Sequence, residues 1–477
     1  MSASNIQNES FMALETSLVR PGLAACGPSK FFLVILGLLL VGYAFLGKGF
    51  AYLGISPVYV GEIVLAIGLV TAIMSGGVGP ALRSPITLGL LAFMLWGAMR
   101  TIPGISAYGM DALRDAVIWG YGVFAILVAN ALLRSGWLFS TIPWYSRLGF
   151  WWLLWLPLAI AMQFLADSLI PAIADSDSGT IGLLFLKMGD VASHLGGLAA
   201  FLLLGLQHWS PGSPGRSPWL KDVVSWMAWS LAAIIAASLN RGGLLAIVAA
   251  ISAVLFLQGR QRWRRVALLA GCSALLVVMF NSRDLAVDLG TERDIAFRQI
   301  FTNMESVFTH RATLADLADS REWRLNWWNE ILDYTLFGDY FWLGKGYGIN
   351  LADDDGFSTD ATHSLRSPHN GHLTILARSG VPGFTLWIIL QGVFVLSLLG
   401  AYFQAKRWGQ EELARVDLFI LAYWLAFVVN GSFDVFLEGP QGGIWFWSLF
   451  GAGIALLEEQ RLSRNFVLFM QNQPAET

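Results

Sequence analysis

The sequence predicts an all-α, polytopic membrane protein of about twelve transmembrane helices, and three observations carry that prediction. Apolar residues make up 56% of the 477-residue chain and charged residues only 13%, against about 25% charge in a soluble domain. The apolar residues are gathered into long runs separated by short charged connections, as lipid requires, because a helix satisfies its own backbone groups in hydrocarbon. The chain also carries 21 Trp, a residue stable at the headgroup boundary. Length alone would suit about three soluble domains, and composition overrules it.

Crossing about 30 Å of hydrocarbon takes about 20 apolar residues. Runs of that kind are expected near 31–47, 59–77, 84–100, 112–133, 148–166, 181–206, 220–239, 242–259, 264–280, 380–403, 415–431 and 441–457. Gly and Pro interrupt the first three, and Glu62 intrudes on the second. With both termini cytoplasmic, the inner connections hold 16 Lys and Arg and the short outer ones only Lys48, Arg100, Arg114, Lys187 and Arg241, which satisfies the positive-inside rule. The expected organisation is a cytoplasmic tail at 1–30, nine helices over 31–280, an extracytoplasmic loop at 281–379, three helices over 380–457 and a second tail at 458–477. No short apolar region followed by a small-residue cleavage site precedes the first helix, which is expected to be retained as an anchor. Cys26 and Cys272, the only cysteines, suggest neither a disulfide nor a thiolate metal cluster. The net charge of −3 gives no reason to expect a nucleic-acid partner, whereas membrane lipids are unavoidable ones.

A loop of about 100 residues is far longer than an ordinary connection. Within it, Trp323, Trp327, Trp328, Ile331 and Leu332 recur at helical spacing, which predicts an amphipathic helix lying on the membrane surface.

Ionisable groups near span ends are costly and invite a functional reading. Four groups fall on the outer face. In S-L-N-R-G-G-L-L, 238–245, Arg241 heads a helix through two glycines, an arrangement suited to phosphate oxygens; on local evidence alone a snorkelling arginine that ends a helix is the plainer reading. In R-S-P-H-N-G-H-L, 366–373, His369 and His372 flank Asn370 just before an apolar run, and either histidine is a general-base or a capping residue. In R-E-W-R-L-N-W-W, 321–328, Arg321 and Arg324 can share one helix face, or simply meet solvent or headgroups. The last outer loop carries Asp434 and Glu438, and Arg100, Asp111, Arg114 and Asp115 form a further charged group whose members are expected to pair with one another. L-G-K-G-Y-G-I at 343–349 lacks the G-K-S/T ending of a phosphate loop and reads as a turn. Asp353, Asp354 and Asp355 with His363, His369 and His372 could be read as a metal site, but adjacent aspartates cannot all face one ion, and no metal is expected.

N-R-G-G-L-L at a helix head, a long outer loop, R-L-x-x-W, G-x-G-Y-G, and P-H-N-x-x-L followed by R-S-G-V-P-G together resemble the O-antigen ligase and O-antigen polymerase superfamily over about 220–460. His369 and Gly380 match the H-x10-G pattern of the ligases, and Arg321 with Leu325 matches their R-x3-L pattern, although Arg324 suits the arginine before the tryptophan equally well. The resemblance implies a GT-C-like, all-helical glycosyltransferase of the bacterial inner membrane, with no cofactor and no metal. Its donor would be an undecaprenyl-diphosphate-linked glycan and its site would face the periplasm. The acceptor would be a growing glycan (a polymerase, the favoured form), lipid A-core (a ligase) or a protein hydroxyl (an oligosaccharyltransferase). Joined to the reading of the residues, this gives catalysis by His369, as base, and Arg241, and diphosphate binding by Arg241 with Arg324 or Arg321, with His372, Asn370, Glu438, Arg114 and Arg100 in support. A transporter is the reading from another class, since twelve spans suit a carrier; neither matching halves nor mid-membrane charges favour it.

Overall fold

A computed structural model describes residues 27–175, 179–209, 219–258, 263–281, 315–358 and 363–471. Each of the twelve predicted spans is occupied by a helix or a bent helix pair. They are α1 Gly27–Leu46, α2 Val60–Met74, α3 Pro85–Tyr108, α4 Met110–Gly120 with α5 Gly122–Ser135, α6 Thr141–Leu165, α7 Met188–Leu204, α8 Trp219–Leu239, α9 Arg241–Gln258, α10 Trp263–Asn281, α12 Gly371–Arg407, α13 Glu411–Gly431 and α14 Pro440–Gln471. Helix α11, Ala315–Leu332, lies in the long loop. Among the described residues, six of these are long and apolar enough to cross a membrane by themselves, and the α4–α5 pair, bent by 42°, makes a seventh. The chain is a multi-pass, all-α membrane protein. Two-stranded hairpins at β1 Gly54–Ile55 with β2 Val58–Tyr59, and β3 Ala172–Asp175 with β4 Gly179–Gly182, are minor additions.

Helix α7 is the axis of the bundle. All of its residues are buried, and it packs against α8, α9 and α13. Small residues make this approach feasible: a Cβ on Gly196 would meet Ala426 Cβ at 3.0 Å, and one on Gly197 would lie 2.3 Å from the Tyr423 ring. Close backbone approach through small residues is the usual route to helix association in lipid, where hydrophobicity gives no drive. The predicted span at 181–206 therefore starts late, because residues 179–182 form a strand and the helix begins only at Met188.

Helix α12 begins at Gly371, nine residues before the span expected at 380. Its continuity breaks at Gly380, with φ 65° and ψ −176°. A broken helix frees carbonyls that need donors. Here Lys345 N donates to Ala377 O (2.7 Å), Gly346 N to Arg378 O (3.0 Å) and the Trp96 indole to Ser379 O (2.9 Å). The segment 343–349 is thus a turn, with positive φ at Gly344, Gly346 and Gly348, and it splints the break.

The expectation for α11 needs correction. Its apolar stripe does not lie on a membrane. Trp327 and Ile331 are fully buried in a second cluster with Leu351, Ala352, Leu376 and Ala377, and Trp323 and Leu332 pack against it. The stripe is aromatic and its neighbours are apolar, so docking onto the protein removes the same area from water that the membrane would have.

Gly380→Ala should destabilise the fold. The new Cβ would sit 2.7 Å from Phe341 O and 2.8 Å from Gly344 N on a positive-φ backbone, for a strain of about 1–3 kcal/mol or more. Thermal unfolding in detergent should register a lower midpoint, and an unchanged midpoint would refute the splint.

Candidate functional site

Four segments converge at one end of the bundle. The head of α7 brings Lys187, Gly189 and Asp190; the α8–α9 hairpin brings Asn240, Arg241 and the two following glycines; the α13–α14 connection brings Phe433, Asp434 and Glu438; and the head of α12 brings His369 and Asn370. The contacts require small residues. A Cβ on Gly189 would meet Asn430 Oδ1 (2.9 Å), Asp434 Oδ2 (3.0 Å) and Asn240 Nδ2 (3.4 Å), one on Gly242 would meet Phe433 Cβ (2.7 Å), and one on Gly243 would meet Ala192 Cβ (2.5 Å). From the long loop, α11 closes the group: the Trp328 indole donates to Pro368 O (2.8 Å) and Arg324 Nη1 to Phe433 O (3.5 Å). Gly242, next to Arg241, and Arg324 thus both meet Phe433.

The electrostatics follow from who meets whom. Lys187 Nζ pairs with Asp434 Oδ1 at 3.0 Å, and Val435 N donates to the same oxygen (2.8 Å). Burial alone would lower the Lys187 ammonium, but Asp434, Asp190 and Glu438 outweigh it and raise its pKa. Burial would raise the Asp434 carboxyl, yet Lys187 holds it below the usual carboxylate range. Three helix N-termini (α7, α9 and α12) meet here, and each adds partial positive charge. The assembly is a well in which Lys187 and the helix N-termini face the internal carboxyls of Asp434, Asp190 and Glu438.

His369 stands in this well. Burial, then the Arg324 guanidinium and Lys187, push its pKa down to about 4, against the pull of Asp434. The imidazole is neutral at pH 7 and can accept a proton. Its backbone has φ 51°, a left-handed conformation that costs a non-glycine residue about 1–3 kcal/mol and is kept only when its surroundings fix it. Among the described residues its side chain makes no hydrogen bond, so neither ring nitrogen is committed.

The other predicted residues sort by their partners. His372 is spent: Trp387 Nε1 donates to its Nδ1 (3.1 Å), and its Nε2 donates to Val428 O (3.1 Å). Asn370 caps α12, its Oδ1 accepting from His372 N (3.0 Å) and Leu373 N (3.1 Å). Burial raises the Glu438 carboxyl, opposed by Arg378 and by hydrogen bonds with Thr374 and Ser367, so it braces the α12 head. Arg321 is exposed one turn before Arg324 on α11, and Arg114 is exposed on α4.

Arg100 lies elsewhere, donating to Leu343 O (2.6 Å) and Gly344 O (3.5 Å). The expected mutual pairing of Arg100, Asp111, Arg114 and Asp115 is therefore corrected. Asp115, buried, instead binds Arg378 (2.9 Å), Arg366 (3.2 Å) and Gly348 N (2.9 Å), while Asp111 meets Arg366 (3.5 Å). Arginines at 366 and 378, far along the chain, outcompete Arg100 and Arg114 because the docked loop carries them to α4.

The acidic run is divided in the same way. Asp353 binds His363 (2.8 Å), Asp354 and Asp355 both bind Lys345, and Asp355 Oδ2 accepts from the Trp327 indole (2.6 Å). Among the described residues no group of three His, Cys, Asp or Glu could hold a metal.

Sequence reasoning passed over Lys187, treating it only as one of the outer charges. Its signal was present in F-L-K-M-G-D, 185–190: a lone cation and a glycine heading an apolar run, the pattern that drew attention to Arg241.

Residues 226–388 match the family model described as O-antigen ligase, which supports the resemblance to the O-antigen ligase and polymerase superfamily. The matched span contains Arg241, Arg324, His369 and Gly380, while Lys187 and Asp434 lie outside it. No curated protein matches the chain.

The His369 environment predicts a pH dependence. Between about pH 6.5 and 4 the unfolded chain binds a proton at this position that the folded chain refuses, so stability falls as pH falls through that window. His369→Asn should flatten that part of the profile of unfolding midpoint against pH. Superimposable profiles would show that the imidazole is not held neutral.

Proposed function

We propose that the chain is a membrane glycosyltransferase that moves a glycan from undecaprenyl diphosphate to an acceptor hydroxyl outside the cytoplasm. The observation that carries this reading is the convergence of Arg324, Lys187 and the helix head that bears Arg241 on the uncommitted, neutral His369 at three helix N-termini. The family match over 226–388 supports the reaction class.

In this reading the diphosphate seats among the cations and helix N-termini. Charge develops on its bridging oxygen as the bond to the anomeric carbon breaks, and preorganised donors there stabilise the transition state more than the ground state. The acceptor oxygen attacks the anomeric carbon from the opposite face, and its proton passes to a ring nitrogen of His369. The diphosphate lipid departs with the bonding electron pair. One displacement of this kind inverts the anomeric configuration and needs no nucleophilic carboxylate. Asp434 holds Lys187 in place and stabilises the imidazolium that forms. The lipid tail would lie along the outer ends of the bundle helices.

His369→Ala should lower glycan transfer by about 100- to 10,000-fold, the range for loss of a general base. Arg241→Ala should lower it by about 100- to 1,000-fold, as for loss of one transition-state donor. Both variants should still be made and inserted. The assay is incubation of purified protein with an undecaprenyl-diphosphate glycan and acceptor, followed by release of the diphosphate lipid; near-normal release by both variants would refute the assignment. The same assay in excess EDTA should proceed, and loss of activity restored by one divalent ion would refute the metal-free reading. Deletion of the gene sorts the acceptor: single lipid-linked repeats accumulate without a polymerase, and finished polymer stays on its lipid without a ligase.

A further inference from the structure

A cavity of about 590 Å³ lies far from the site just described. It opens between the start of α3 (Ser84–Ile86), the last turns of α12 (Leu396–Arg407) and the stretch of α14 from Leu457 to Arg464. Helices α12 and α14 both start at the candidate site: Gln441, at the head of α14, donates to Asp190 (3.4 Å). From Gln441 to Arg461 a helix rises about 30 Å, which is the thickness of the hydrocarbon core. The cavity is therefore at the headgroup level of the opposite leaflet.

Its walls are two-faced. Arg407, Arg461 and Arg464 line it, with Glu458 the single acid among the lining residues. Arg461 pairs with Glu458 (2.7 Å) and Arg464 donates to Gln404 (2.8 Å). Arg407 makes no ion pair among the described residues, and Arg461 Nε is buried without a hydrogen-bond partner. Two positive charges thus remain after Glu458 is matched. Leu396 and Phe403, which also line the cavity, are 70% and 50% exposed, and they lie on the hydrocarbon side of the arginines along α12. A phosphate between arginine forks, with acyl chains along an exposed apolar wall directly below it, is the chemistry of an anionic phospholipid.

We propose that this cavity is a binding site for one anionic phospholipid of the leaflet opposite the glycan site. Arg407, Arg461 and Arg464 grip its phosphate, and Leu396 and Phe403 bear its chains. The excess of positive charge selects against zwitterionic headgroups. The inference is independent of the glycosyl-transfer reading.

The test is native mass spectrometry of the full-length protein, released from detergent after exchange with phosphatidylglycerol or phosphatidylcholine. Retention of phosphatidylglycerol should exceed that of phosphatidylcholine, and each arginine removed should cost about fivefold. Arg407→Gln, which breaks no internal ion pair, should show one such step. The triple variant R407Q/R461Q/R464Q should show no preference. Equal retention of the two lipids by the unmodified protein, or full retention of phosphatidylglycerol by Arg407→Gln, would overturn the proposal. Displacement of phosphatidylglycerol by millimolar inorganic phosphate would also overturn it, because the site would then belong to a soluble anion.

Discussion

The ion pair between Lys187 and Asp434 sets the terms for everything around it. Each partner sits on a different element, at the head of the buried axial helix and in the connection between the last two spans. Neither is fully wet, with 25% and 14% of their side chains exposed. Removing one partner of such a pair typically costs about 3–5 kcal/mol, because the other is stranded. The pair therefore fixes the height at which α7 begins and the α13–α14 connection turns. Gly189 and Gly242 are small because the pair's elements must close to contact distance around it. His369 and Arg324 are then brought to the rim of a charge that is already balanced.

Three histidines in this chain have three different fates, and environment alone separates them. His194 is buried on α7 among Trp152, Phe427 and Trp445, with its Nδ1 2.6 Å from the Tyr423 hydroxyl. His372 has both nitrogens engaged. His369, three residues away and in the same motif, has its backbone bent into a left-handed turn and its ring presented to cations. Proximity in sequence says little about availability to a substrate, and hydrogen-bond accounting says a great deal.

The same contrast explains what the sequence made legible. Lipid permits few solutions, so apolar runs located every helix of the bundle, and glycine beside a lone cation located the α9 head. The motif order singled out His369 and Arg324, and the structure brings those two together. Two things could not be read. The stripe of Trp323, Trp327 and Ile331 is equally suited to a membrane surface and to a protein surface, and only the cluster around Leu351 and Leu376 decides between them. The partners of Asp115 are more than 230 residues away in sequence, so local spacing pointed to Arg114 and Arg100 instead. Lys187 was visible but unremarked, since its counter-ion is equally remote.

The splinted break at Gly380 has a mechanical consequence. Above it, the first turns of α12 are fixed to the docked loop through Ala377 and Arg378 and to α3 through Ser379; below it, Val381 N donates to Phe341 O (2.8 Å) and the rest of the helix runs on as a rod in lipid. Bilayers differ in thickness, and rods answer by tilting. A joint held on both sides leaves the stub that carries His369 anchored to protein, so its attitude is set by the docked loop and α3 rather than by the girth of the membrane around it.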